Sequence, residues 1–227
     1  MNLLYIIQSV FILVLAITVH EAAHGYVARH FGDNTAAMLG RVTLNPLKHI
    51  DPVGTILLPA VLYLATGFAF GYAKPVPVRF GLLRNPKRDM IWVALAGPVS
   101  NLAQALLWGV LGTLLLYLAG TGGPANFLLG MCGSGILINL MLCVLNLFPL
   151  PPLDGGRVLV GLLPLRAAIT VSRVEPWGMW IAAALLMTGI LSKLWMAPLM
   201  SGAVSVLTTL LPPLKILIVL ALQLAPV

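Results

Sequence analysis

His20, Glu21 and His24 stand in the order His-Glu-x-x-His, inside an apolar run that reaches from residue 3 to residue 28. On a helix, residues four apart share a face, so the two imidazoles lie one turn apart and can grip a single metal ion. Glu21 falls at the edge of that face. From there its carboxylate can take the proton from a water in a coordination position that two histidines leave open. A plainer reading makes the histidines packed polar groups. Against it, one ionisable residue near mid-membrane costs roughly 2.5–3.5 kcal/mol on insertion scales, and three such groups close together multiply that cost. The spacing therefore implies metal-dependent hydrolysis, and it asks for a third protein ligand.

Few acids remain to supply one: Asp33, Asp51, Asp89, Asp154 and Glu175. Asp154 follows a long apolar run that prolines at 149, 151 and 152 interrupt, and Gly155-Gly156 comes directly after it. Read alone, an aspartate ahead of a short apolar run (158–163) is a helix N-cap. Beside a His-Glu-x-x-His element, and with no other acid inside an apolar run, it reads as the third metal ligand.

These groups must be held by a membrane protein. The chain has 227 residues, of which 60% are hydrophobic and only 8% charged, and no stretch is polar enough to fold as a separate soluble module. One membrane-embedded domain over 1–227 is expected. The net charge of +7 comes from basic residues in short loops beside apolar runs, a pattern that orients membrane proteins and excludes a nucleic-acid partner. Cys132 and Cys143 share one apolar run, which argues against a disulfide or a cysteine metal site. The first run lacks a basic flank and a cleavage site, so it is expected to be retained as a helix.

Taken in order, the sequence predicts an all-α polytopic protein with about five transmembrane helices, a re-entrant segment and a short membrane-associated β element. The helices are expected over 3–30, 89–119, 126–148, 177–192 and 195–213, with Pro212-Pro213 ending the last before a short tail. Residues 36–46 contain a β-branched pair and end in Asn-Pro, which predicts a strand or hairpin. Residues 53–73 are apolar but broken by Gly54, Pro59, Gly67 and Gly71. If they re-enter, every loop cation except Lys193 shares one face, so the positive-inside rule places that face in the cytoplasm. His20 then lies about 15 Å from the cytoplasmic end of its helix, at 1.5 Å per residue. His49 and Asp51, between two prolines, are read as a capped turn in preference to a group that tunes the metal.

Three stretches together carry a family resemblance. HEAAH at 20–24, AGPVSN at 96–101 and NLFPLPPLDGG at 146–156 resemble, in order and separation, the signatures of the site-2 protease family of zinc intramembrane proteases. GRVTLNPLKHIDPVGT (40–55) and GYAKPVPV (71–78) further resemble its compact prokaryotic members. The resemblance implies Zn2+ bound by His20, His24 and Asp154, with Glu21 activating the water. It matches Asn146 and Asn101 to positions that hold substrate or polarise its carbonyl. It implies a re-entrant β element after the first helix, and substrates that are transmembrane helices of other proteins in the bilayer. No PDZ module lies between the motifs and no nucleotide-sensing domains follow them, so the substrate filters that such parts provide elsewhere are expected to be absent or to be supplied by a partner, a regulatory membrane protein or a second copy. The reading from a different class is a metal-binding transporter or channel. That would spread ionisable residues along a path over several helices, whereas here they gather at one motif and one aspartate.

Overall fold

The computed structural model describes residues 3–57, 61 and 74–224. Helix α1 runs Leu3–His30, closed by Arg29 and His30 in its last turn, where cations suit the negative end of the helix dipole. A short α2 (Thr35–Met38) follows. Then come α3 (Pro86–Ala119), α4 (Gly123–Asn146), α5 (Asp154–Leu162), α6 (Leu165–Ser172), α7 (Glu175–Met187), α8 (Ala197–Leu210) and α9 (Leu214–Leu224). By length and apolarity α1, α3 and α4 can each cross a bilayer. The two runs expected as separate spans near the end of the chain, 177–192 and 195–213, form a pair bent by 81° that together makes at most one further span. Gly189, with φ 74°, sits at that break. The described residues thus hold three spans, or four if the bent pair counts as one, where about five were expected.

Two further expectations change. Among the described residues no strand forms, and the stretch 36–46 is a helical turn followed by irregular chain. Local side-chain bonds explain this. Asp33 Oδ1 accepts from the Thr35 N–H, Thr43 Oγ1 from Asn45 N–H and Asn45 Oδ1 from Leu47 N–H. Such bonds bend the chain away from a ladder. The residues after Pro212-Pro213, expected as a short tail, are helical and packed. They form α9, whose Leu214 and Leu217 are buried in the main apolar cluster with Leu129, Ile136 and Leu140 of α4. The approach is close because α4 offers glycine: a Cβ on Gly133 would stand 2.0 Å from the Leu217 carbonyl oxygen.

Helices α1 and α3 run antiparallel. Arg84 N–H donates to Phe31 O at one end, and Gln104 donates to Ala16 O further along. The chain between 31 and 84 therefore returns to the end it left. Most of the 53–73 stretch lies outside the described residues, but its flanks meet, since Lys74 N–H donates to His49 O at 2.9 Å. The extended run 74–79 is then tied to the same end of α1. Arg41 Nη2 donates to Lys74 O, and Asp33 Oδ2 accepts from Arg79 N–H at 2.6 Å. Burial alone would raise the Asp33 carboxyl, but the bonds from Thr35 and Arg79 outweigh it and hold the group below the usual carboxylate range.

This end-sharing predicts a labelling pattern. Arg41 is buried, so the exposed neighbours Leu47 and Lys87 are the better reporters. In a background with Cys132 and Cys143 replaced by Ala, single cysteines at 47 and 87 should react with a membrane-impermeant maleimide from the same side. Labelling from opposite sides would mean that the chain crosses between them.

Candidate metal centre

The centre is assembled from α1, α3 and the start of α5. His20 and His24 are one turn apart on α1, and both are buried. Asp154 is the first residue of α5 and also buried. Its carboxylate does not cap that helix; the N-cap residue is Leu153, with no side-chain cap bond. The carboxylate turns instead to the histidines, with Oδ2 3.2 Å from His20 Nε2 and Oδ1 3.4 Å from His24 Nε2. The two Nε2 atoms are 3.1 Å apart, and all three ligating atoms lie within 4.8 Å of one another.

The Gly-Gly after Asp154 acts by room, not by unusual backbone angles, since neither glycine has positive φ. A Cβ on Gly155 would stand 2.1 Å from Leu147 O, and one on Gly156 2.1 Å from Pro151 N. The helix can therefore fold back onto the Pro-rich loop that precedes it, which brings Asp154 to α1. Gly178 of α7 lets that same loop pack from the other side, with its would-be Cβ 1.6 Å from Pro151 O.

Hydrogen bonding behind the rings decides what the front presents. His24 Nδ1 lies 2.7 Å from the Val93 carbonyl oxygen, which can only accept, so Nδ1 carries the proton. His20 Nδ1 lies 2.6 Å from Asn101 Oδ1. The orientation of that amide follows from its Nδ2, which faces the carbonyl of Ala16 and Asn139 Oδ1. In the neutral imidazoles both Nε2 atoms are then lone pairs, aimed at each other and at a carboxylate. Asp154 Oδ2 is buried and accepts no hydrogen bond. Lone pairs without a proton between them repel, and a buried group left so costs about 1–3 kcal/mol or more when charged. Two imidazoles and a carboxylate are the donor set of a catalytic zinc site, so the residues present fit Zn2+.

Helix α3 approaches the rings through a glycine. Gly97 of α3 faces the rings, and a Cβ there would stand 2.4 Å from His20 Cε1 and from His24 Nε2. Pro98 follows it within the helix. Glu21 is half-buried and outside the ligand group; its Oε2 accepts from the Val76 N–H at 2.7 Å. With prolines at 75 and 77, Val76 is the one backbone donor in 75–77. Gly25, one turn below Glu21, lets Val76 and Val42 pack close to α1.

The remaining sequence candidates lie elsewhere. Asn146, at the end of α4, donates to Leu142 O of its own helix at 3.0 Å. Asn101 stands behind His20. His49 Nε2 lies 3.0 Å from Thr43 O, and Asp51 Oδ1 accepts from Val53 and Gly54 N–H, so neither joins the metal group. Sequence reasoning missed Asn139, which is fully buried against Asn101. A signal was available: it is a polar residue in an apolar run, two helical turns before Asn146 and so on the same face.

Comparison with known proteins agrees with this chemistry. A family model described as Peptidase family M50 matches residues 123–189, which include Asp154. The chain is 39% identical over 198 residues to "Putative zinc metalloprotease YwhC" of Bacillus subtilis, spanning 86% of this chain and 87% of that protein. It is 34% identical over 193 residues to "Putative zinc metalloprotease Rip2" of Mycolicibacterium smegmatis, spanning 82% of this chain and 70% of that protein. No solved structure matches the chain.

The space beside the rings generates a prediction. Alanine in place of glycine inside a helix ordinarily stabilises by roughly 0.5–1 kcal/mol. Gly97→Ala should instead leave the purified protein far below one zinc per chain while the helical content holds, as metal analysis beside circular dichroism would report. Full zinc occupancy in that variant would contradict the close approach.

Proposed function

This chain belongs to peptidase family M50, the site-2 protease family, and from that premise we propose that it hydrolyses peptide bonds within transmembrane segments of other membrane proteins. The membership makes it a zinc metalloprotease, and its apolar helices make it an integral membrane protein. The observation that carries the finer reading is the convergence of His20 Nε2, His24 Nε2 and the Asp154 carboxylate inside a group of membrane-length helices. In this reading those three residues hold the metal and the whole chain acts as one membrane-embedded domain. Bound there, zinc would supply a Lewis acid that polarises the scissile carbonyl and makes water a nucleophile near neutral pH.

The chain's own groups do the rest. Glu21 takes the proton from the attacking water and returns it to the leaving amine nitrogen. The Val76 N–H donates to its carboxylate and so restrains it. A substrate helix hides its carbonyls in its own hydrogen bonds, so it must unwind locally before its backbone reaches Glu21. The extended run 74–78 lies beside Glu21, so an unwound segment lying along it would bring its backbone to that carboxylate. Asn146 is assigned to the substrate's carbonyl, and Asn101 to the orientation of His20. The cation-bearing end of α1 is assigned to the cytoplasm by the positive-inside rule, which puts the centre nearer that side.

Glu21→Gln separates base from ligand. Cleavage of a model transmembrane substrate should fall by about 10²–10⁴-fold, the usual worth of general base catalysis, while zinc stays near one per chain. Turnover at the wild-type rate would remove Glu21 from the mechanism, and lost zinc would make it a ligand.

A further inference from the structure

The two histidines are braced in different ways. His24 leans on a backbone carbonyl, Val93 O, whose position is set by α3 itself. His20 leans on a side-chain amide, and an amide can turn over. If Asn101 were reversed, its NH2 would face His20 Nδ1. That nitrogen would then have to accept, and the ring proton would move to Nε2, pointing into the metal group. Whatever holds Asn101 in its orientation therefore decides whether His20 offers a lone pair.

Two acceptors do so, and they differ in quality. The Ala16 carbonyl oxygen is 3.5 Å from Asn101 Nδ2 and also receives Gln104 Nε2 at 3.3 Å. Asn139 Oδ1 is at 3.0 Å. Asn139 is oriented in turn, because its Nδ2 donates to Gly135 O, four residues back on α4, at 2.9 Å. A carbonyl oxygen can only accept, so Asn139 must present its own oxygen to Asn101. The direction of donation is then fixed along the series: Asn139 to Gly135, Asn101 to Asn139, His20 to Asn101. Both asparagines are 0% exposed, so no water competes for these bonds. The Trp108 ring closes over Gly135, where a Cβ would stand 2.5 Å from it.

We propose that Asn139, which lies outside the metal centre, is a positioning residue for zinc: through Asn101 it fixes the hydrogen-bond polarity of His20, and it thereby sets metal affinity. The inference rests on the ligand set of the preceding section. Partners behind a metal-binding histidine commonly govern affinity by about 10–100-fold, which sets the scale expected here.

The test is a zinc affinity measurement on the full chain in detergent, by competition with a chromophoric chelator, so that no proteolysis is needed. Asn139→Thr keeps a hydroxyl that bonds Gly135 O but loses the reach to Asn101, and it should weaken zinc by about 10–100-fold. Asn139→Asp should restore near wild-type affinity. Burial keeps that carboxyl neutral, so its hydroxyl donates to Gly135 and its carbonyl accepts from Asn101. In a series the effects do not add, so Asn139→Thr placed on Asn101→Ala should weaken zinc no further than Asn101→Ala alone. Should the Thr form not yield monodisperse protein, Asn139→Ser carries the same comparison. Wild-type affinity in the Thr or Ser form, equal loss in the Thr and Asp forms, or additive losses in the double variant would each overturn the proposal. His20→Ala marks the ligand set separately: if it binds zinc as wild type, the ligand reading has failed. If it loses zinc while the Thr form does not, only the role of Asn139 has failed.

Discussion

Three lone-pair atoms facing one another in an apolar interior are the constraint on which the structure turns. His20 Nε2, His24 Nε2 and the Asp154 carboxylate stand within 4.8 Å. Both rings have given their one proton to an acceptor behind them. Water would relieve such a cluster at a protein surface, but the groups are buried between helices of membrane length. A divalent cation would satisfy all three at once, and the low dielectric of that interior would make its bonds strong.

Bringing the three atoms together requires backbones to approach more closely than side chains ordinarily allow. The glycines of this chain meet that need at separate points. Gly97 leaves room in front of the imidazoles, Gly155 and Gly156 let α5 fold onto its own leading loop, and Gly178 lets α7 press that loop from behind. At none of these four is positive φ the reason. Each is a contact in which a methyl group would strike backbone or an imidazole ring. The same economy holds α4 against α9 at Gly133, so the core that backs the metal centre is built from close helix approach as much as from large apolar side chains.

How much of this the sequence disclosed varies with the range of the interaction responsible. The bounds of α1 were legible because a basic last turn and a Gly-Asp-Asn stop mark its end, and the spacing of His20, Glu21 and His24 is a property of one helix. The long helices α3 and α4 were legible from apolar length. The stretch 36–46 was misread as β because β-branched residues were weighed above the Asp33, Thr43 and Asn45 side chains, which bond their own neighbours. The packing of α9 was missed because it depends on a glycine 84 positions earlier, Gly133 against Leu217. Asn101 and Asn139 are 38 residues apart, and no local pattern announces that they bond. Asp154 was ambiguous between cap and ligand for the same reason: the choice depends on a loop folding back, which two glycines permit by the room they leave.

The central claim is that this cluster is a zinc site made of two imidazoles and one aspartate. X-ray absorption at the zinc edge of the purified chain, with Asp154→Ala alongside, tests it most directly. The account predicts a shell of nitrogen and oxygen at about 2.0–2.2 Å with imidazole scattering from two histidines, and loss of bound zinc in the variant. Sulfur at about 2.3 Å, or zinc bound as tightly and with the same shell when Asp154 is gone, would contradict it.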